Sequence, residues 1–195
     1  MSTEGEEEDV HFKPGQIIES SKAKYVVVKL LGEGGFGAVY RVRDEKVDNV
    51  FYAMKVEKKK EDKKSKLKME VYILKMAAEK SLTSHFTRIV DRGKRDTYCF
   101  IVMQLVGKCL ADLKAKRPDK VLTFGCGLNV SVQCLEAVQD LHKCGFIHRD
   151  LKPANYAVGL GCLRHQIYIL DFGIARKILN DKNELKTPRQ KAGFK

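Results

Sequence analysis

No apolar run in this chain approaches the roughly 20 residues that a membrane-spanning helix needs. The opening stretch, MSTEGEEEDV, is acidic and polar where a secretory signal would carry a basic start and an apolar middle. Neither a membrane partner nor secretion is expected. The cysteines (Cys99, Cys109, Cys126, Cys134, Cys144 and Cys162) include no C-x-x-C pair, so the clustered spacing of a zinc site is missing. Several lie in apolar-periodic segments, as Cys134 does in VQCLEAV, and read as buried free thiols of a reducing cytosol or nucleus. There is no G-K-[ST], which excludes a P-loop. There is also no interleaved aromatic and basic motif of the RNA-binding type, so nucleic acid is not the expected partner.

What is present fits one large domain, or two small lobes sharing a cleft, in 195 residues. Hydrophobic residues make up 44% and charged residues 32%, enough for a packed core under a well-solvated surface. The formal net charge is +12, and the carboxylates of Glu4, Glu6, Glu7, Glu8 and Asp9 hide part of a stronger positive balance in the rest of the chain. A basic surface attracts nucleotide phosphates, nucleic acid, anionic lipid or an acidic protein, and charge alone does not choose among them.

Residues 1–20 read as an acidic tail without fixed structure. KYVVVKLL, AVYRVRD and DNVFYAMKVE look like three strands in an antiparallel meander, the last following a turn at Asp48–Asn49. The basic run Lys58–Lys66 reads as a solvated loop. LKMEVYILKMAA then shows Leu67, Val71, Leu74 and Ala78 at helical spacing, with Ile73 and Ala77 widening the face. TYCFIVMQL supplies one or two more strands. After Gln104–Gly107 the texture turns helical: ADLKAKR is a short polar helix, and Leu128, Val132, Leu135, Val138 and Leu141 form an apolar stripe that ends at Gly145, a good helix stop.

GEGGFG fits G-x-G-x-x-G through Gly32, Gly34 and Gly37, but a strand follows rather than the helix of a dinucleotide-binding fold. Glycines in a β-turn-β let backbone N–H groups close over phosphates. Lys55 has apolar neighbours in its strand and can neutralise phosphates if an acidic partner holds it; Glu70 on the amphipathic helix is the expected partner. In HRDLKPAN, Asp150 and Asn155 have the spacing of H-R-D-L-x-x-x-N. Asp150 can accept a proton from a substrate hydroxyl, Lys152 can meet the γ-phosphate, and Asn155 with Asp171 of LDFG can hold Mg²⁺.

Taken in this order, these pieces resemble a eukaryotic protein kinase from about residue 20 onward. DLKPAN is similar to serine/threonine kinases. LKMEVYILK, VMQLVGKCLADL, GFIHRDLKPANYAVG and ILDFGIAR resemble the casein kinase 1 superfamily, and most of all its tau-tubulin kinase branch. The resemblance implies an α+β, protein-kinase-like fold: an antiparallel β-rich N-lobe with one regulatory helix (about 21–105), then an incomplete, mainly helical C-lobe (about 106–195) that stops in the activation segment. It implies ATP and Mg²⁺ as cofactors. Leu31, Gly32, Glu33, Gly34, Gly35, Phe36, Gly37, Val39, Ala53, Lys55 and Glu70 would bind ATP, with Met103 as gatekeeper and Gln104 and Leu105 at the hinge. It implies a protein substrate, acidic or already phosphorylated, met by Arg176, Lys177, Arg189 and Lys191. Two readings of the chain as a whole stand open: a piece of a longer active kinase, or a shortened, non-catalytic remnant that binds nucleotide or acts as a scaffold. In either, the helix ending near Cys144 is expected to show its apolar stripe to solvent.

Overall fold

Hydrogen-bonded antiparallel strands carry the first half of the chain. The computed structural model describes residues 10–34, 37–59, 65–82, 84–180, 182 and 184–187. Strands β1 (Ile17–Glu19), β2 (Lys24–Gly34), β3 (Gly37–Asp44) and β4 (Phe51–Lys58) run as a meander. Helix α1 (Lys66–Glu79) follows, then β5 (Ile89–Lys94) and β6 (Tyr98–Gln104). The six strands form one sheet in the order β1-β2-β3-β4-β6-β5. Beyond it come α2 (Leu110–Ala115), α3 (Phe124–Lys143) and the short strands β7 (Phe146–Ile147), β8 (Tyr156–Val158), β9 (Ile167–Ile169) and β10 (Arg176–Lys177). These last pair as β7 with β10 and β8 with β9.

The alternation of side chains along β4 divides the protein. Met54 and Val56 point into one apolar core with Tyr25, Val27, Tyr40, Val42, Phe100 and Val102. Ala53 and Lys55 lie on the opposite face, beside Met103 and Ile101 in register on β6. That face meets a second core built from α1, α3 and the segments around β9, including Leu67, Leu74, Leu141, Ile169 and Phe172. Lys55 is thus delivered to the junction of the two cores.

Turn chemistry follows the sequence. Asn49 takes a left-handed φ of 61° before β4, a conformation asparagine tolerates. Gly145, with φ 83°, ends α3 by donating its N–H to His142 O at 2.8 Å.

Four expectations change. The tail is shorter than residues 1–20, because Ile17–Glu19 pairs with Lys24–Val26 and Phe12 packs on the sheet's core. Asp91, buried in β5, fixes this start of the chain by accepting from Ser20 Oγ and from Tyr25 Oη at 3.0 Å. Strand β5 itself was not expected, since IVDRGK carries three charged residues and a glycine. Gly93 is required there: a Cβ would lie 2.3 Å from the Phe100 ring. The buried face of α1 is Leu67, Glu70, Ile73, Leu74 and Ala77, so Ala78 turns to solvent and a glutamate takes a place in the core side. Finally, α3 begins at Phe124, earlier than the stripe implies. Of that stripe only Leu141 is fully buried, while Leu128, Val132 and Leu135 are exposed.

Gly37 takes φ 104°, and a Cβ there would sit 2.0 Å from Val56 O on β4, whereas Gly34 has open space. Gly37→Ala should cost about 2 kcal/mol or more, and Gly34→Ala no more than about 0.5 kcal/mol. Equal urea midpoints for the two variants would show that the close approach of β3 to β4 is not a constraint.

Candidate active site

Lys55 is 7% exposed, and its Nζ reaches two carboxylates: Glu70 Oε2 of α1 at 2.6 Å and Asp171 Oδ1, just after β9, at 3.0 Å. Burial by itself would lower the Lys55 pKa, but Glu70 and Asp171 outweigh it and the pKa is raised, so the ammonium stays charged. The same burial pushes the Glu70 carboxyl up against the pull of Lys55. The pair expected from sequence therefore forms, and Asp171 joins it.

The loop after β7 is held by hydrogen bonds that leave little freedom. Asn155 spends both Nδ2 protons on Asp150, one on the backbone oxygen at 2.8 Å and one on Oδ2 at 3.0 Å. Lys152 Nζ lies 2.8 Å from the same Asp150 Oδ2. That contact, with help from Asn155, holds the Asp150 carboxyl below the usual carboxylate range. His148 anchors the loop from beneath. Burial lowers its pKa, so the ring is neutral; Nε2–H donates to Leu170 O at 2.9 Å and Nδ1 accepts the Asp150 N–H at 3.3 Å.

Two non-glycine residues here occupy the left-handed region, Arg149 at φ 71° and Asp171 at φ 63°. Such conformations persist where surrounding bonds over-determine them. Arg149 Nε donates to Ile174 O at 2.6 Å, and Asp171 Oδ1 also accepts the Gly173 N–H at 3.2 Å. Phe172, 1% exposed, stacks on Phe86 at 5.7 Å and meets the His148 ring edge-on at 5.5 Å. Leu170 N–H bonds Asn155 O at 2.8 Å, tying the two loops together.

The remaining expected residues lie around this centre to different degrees. Leu31, Gly32, Glu33 and Gly34 are exposed at the end of β2; Val39 stands opposite both Gly32 and Lys55. Gly35 and Phe36 lie outside the described residues. Ala53 pairs with Met103, and both are buried. The Gln104 N–H is given to Arg88 O at 2.9 Å, so only its carbonyl could serve an adenine ring; Leu105 follows β6, half-buried. Arg176 and Lys177 form β10, half-buried; Arg189 and Lys191 lie outside the described residues. Sequence reasoning did not single out His148 as an anchor or Phe86 as the stacking partner of Phe172. No local signal marks Phe86, which comes from a distant segment.

The sequence matches the protein kinase domain family over residues 25–193. The chain belongs to the protein kinase family. It is 37% identical over 182 residues to the serine/threonine-protein kinase spe-6 of Caenorhabditis elegans, covering 92% of this chain and 47% of that one. A "Probable serine/threonine-protein kinase" of Dictyostelium discoideum is 33% identical over 189 residues, covering 96% and 37%. A "Probable casein kinase I homolog" of Encephalitozoon cuniculi is 32% identical over 158 residues, covering 80% and 46%. The chain thus has casein-kinase-I-like relatives, and it spans half or less of the length of these curated relatives.

Protein kinases in general use ATP and Mg²⁺, and the donor set suits a hard cation. Among the described residues no three or more His, Cys, Asp or Glu converge on a metal position. The centre instead offers Asn155 Oδ1 and Asp171 Oδ2, which take no hydrogen bond among the described residues. Two protein oxygens are what Mg²⁺ ordinarily takes, since it keeps waters and binds substrate phosphates for the rest.

Removing Glu70 leaves a buried ammonium with one carboxylate. Glu70→Ala should lose about 3 kcal/mol in chemical denaturation, and a loss below about 1 kcal/mol would mean that the ion pair is not what holds α1. A second measurement follows from Asp150. Its depressed pKa contributes stability above the unfolded value of 3.8 that is lost as pH falls through the folded value. In Lys152→Met the Asp150 carboxyl should titrate at higher pH than in the parent by carbon-detected NMR. An unmoved titration would remove Lys152 as the main cause.

Proposed function

We propose that the chain carries the phosphoryl-transfer centre of an ATP-dependent serine/threonine protein kinase. The observation that carries this reading is the Lys55 ammonium held between Glu70 and Asp171 (2.6 and 3.0 Å), with the Asp171 segment tied to the Asp150–Asn155 loop by the Leu170 N–H on Asn155 O at 2.8 Å. Lys55 would neutralise nucleotide phosphates as a point charge, and the backbone between Gly32 and Gly37 would cover them. Leu31, Val39, Ala53, Met103, Gln104 and Leu105 would enclose the adenosine. Asn155 and Asp171 would hold Mg²⁺, which supplies charge neutralisation between the phosphates when bound. Asp150 keeps Oδ2 on Lys152 and Asn155 and presents Oδ1 to a substrate hydroxyl, orienting it and taking its proton. Lys152 stands where developing charge on the transferred group needs a cation.

Arg176 and Lys177, following Phe172 by a few residues, favour acidic or phosphorylated protein substrates, as does the net charge of +12. Charge reversal at Arg176 should lower turnover of acidic peptides more than of neutral ones; an unchanged ratio would overturn the preference.

The exposed face of α3 and the segment before it, with Phe124 at 87%, Leu135 at 71% and Val121 at 64%, favours a second reading in which the chain binds nucleotide and docks a partner without catalysis. One experiment separates them. Asp171→Asn should abolish Mg²⁺-dependent ATP binding, and unchanged binding would overturn the metal assignment. Asp150→Asn should keep ATP binding and lose phosphoryl transfer. Parent and Asp150→Asn both binding ATP with no turnover in either would favour the non-catalytic reading.

A further inference from the structure

Glu57 belongs to none of the groups described above, yet it makes three hydrogen bonds to one place. Its Oε2 accepts from Ser65 Oγ at 2.6 Å and from Leu67 N–H at 2.9 Å, and its Oε1 accepts from Lys66 N–H at 2.9 Å. These are the residue before α1 and its first two members. The first N–H groups of a helix have no partner within the helix, and a negative charge beside them is favourable. The first turn of α1 holds no acidic residue of its own. Ser65 Oγ accepts Lys68 N–H at 3.3 Å, which leaves Lys66 and Leu67 to be satisfied from outside the helix. The carboxylate that does so comes from β4.

Strand periodicity makes this more than a cap. Residues 55 and 57 lie on the same face of β4 and are separated by about 6.6 Å along it. On α1, Lys66 and Glu70 are separated by about 6 Å along the helix axis. The spacings match, and the contacts run in opposite senses: Glu57 takes the start of α1, and Lys55 takes Glu70 one turn later. A single contact would let α1 pivot. Two, from one rigid strand, fix both its position and its tilt.

We propose that Glu57 is a positioning residue for this site: it clamps the N-terminus of α1 to β4 so that Glu70 meets Lys55. Its importance for phosphoryl transfer rests on the kinase reading; the clamp itself does not. The test therefore reads the Lys55–Glu70 pair directly. Glu57→Ala and the near-isosteric Glu57→Gln are made in the full chain. Lys55 is labelled with an amine-reactive reagent and mapped by mass spectrometry, with Lys24, paired to Glu19 on the surface at 2.7 Å, as internal reference. Amide exchange at Lys66 and Leu67 is followed in parallel, both without denaturant and with ATP and Mg²⁺ binding measured separately. In Glu57→Ala, exchange at Lys66 and Leu67 should quicken about fivefold or more, the equivalent of a lost helix cap, and Lys55 should label several times faster relative to Lys24. Glu57→Gln, which keeps one acceptor oxygen, should fall between parent and Glu57→Ala. Unchanged Lys55 labelling in both variants overturns the proposal, as does an equal rise at Lys55 and Lys24, which would report general loosening. A parent that fails to bind ATP would count against the kinase reading while leaving the labelling result to decide the clamp.

Discussion

A buried ammonium with two carboxylates is the constraint on which the rest depends. Lys55 is 7% exposed, and a lone charge so placed would cost several kcal/mol in lost hydration. That cost is offset only if the oxygens of Glu70 and Asp171 stay close. One comes from a helix and the other from a turn 116 residues further along the chain. The requirement therefore couples the sheet, α1 and the loop after β9, which share no local sequence. Apolar residues at positions 55 and 70 together could fill the same space, whereas losing either partner alone strands a buried charge, so the ion pair is better understood as fixing an arrangement than as adding stability.

The loops that carry Asp150 and Asp171 obey the same logic with backbone rather than charge. Arg149 and Asp171 sit in conformations that cost about 1–3 kcal/mol each and are held by specific bonds. Arg149 is pinned by Ile174 O, Asp171 by Lys55 and the Gly173 N–H. Neutral His148 joins the two loops through Leu170 O, and Phe172 is wedged between His148 and Phe86. Asp171 is thus held from two parts of the chain and Arg149 by a carbonyl 25 residues away, a rigidity that would suit the proposed transfer, in which charge develops at this site.

Much of this was legible in the sequence, and for identifiable reasons. The meander, α1 and α3 show through period-two and helical patterns, and the Lys55–Glu70 pair shows because a lysine among apolar strand residues needs a partner. Strand β5 was not legible: its inward residue is Asp91, an acid that becomes a core residue only because Tyr25 and Ser20 reach it from β2 and the turn before it. The side of α1 that faces inward was misread at Ala78 for a related reason. Glu70 takes a buried position that a hydrophobicity pattern assigns to solvent. Nothing in the sequence singles out Glu57, since its role depends on where α1 begins, which no spacing states.

The division of labour within single side chains is the deepest consequence of the packing. Asp150 gives Oδ2 to Lys152 and Asn155, Asp171 gives Oδ1 to Lys55 and Gly173, and Asn155 gives its amide protons to Asp150. In each case one end of the group is bound to protein and the other end takes no hydrogen bond among the described residues. Bonds to the first end set the direction of the second, since a carboxylate or carboxamide is planar and its two ends cannot turn independently. The three remaining oxygens, Asp150 Oδ1, Asn155 Oδ1 and Asp171 Oδ2, are therefore oriented before any ligand arrives. In the proposed phosphoryl transfer, an arrangement of that kind would lower the reorganisation needed at the moment of reaction.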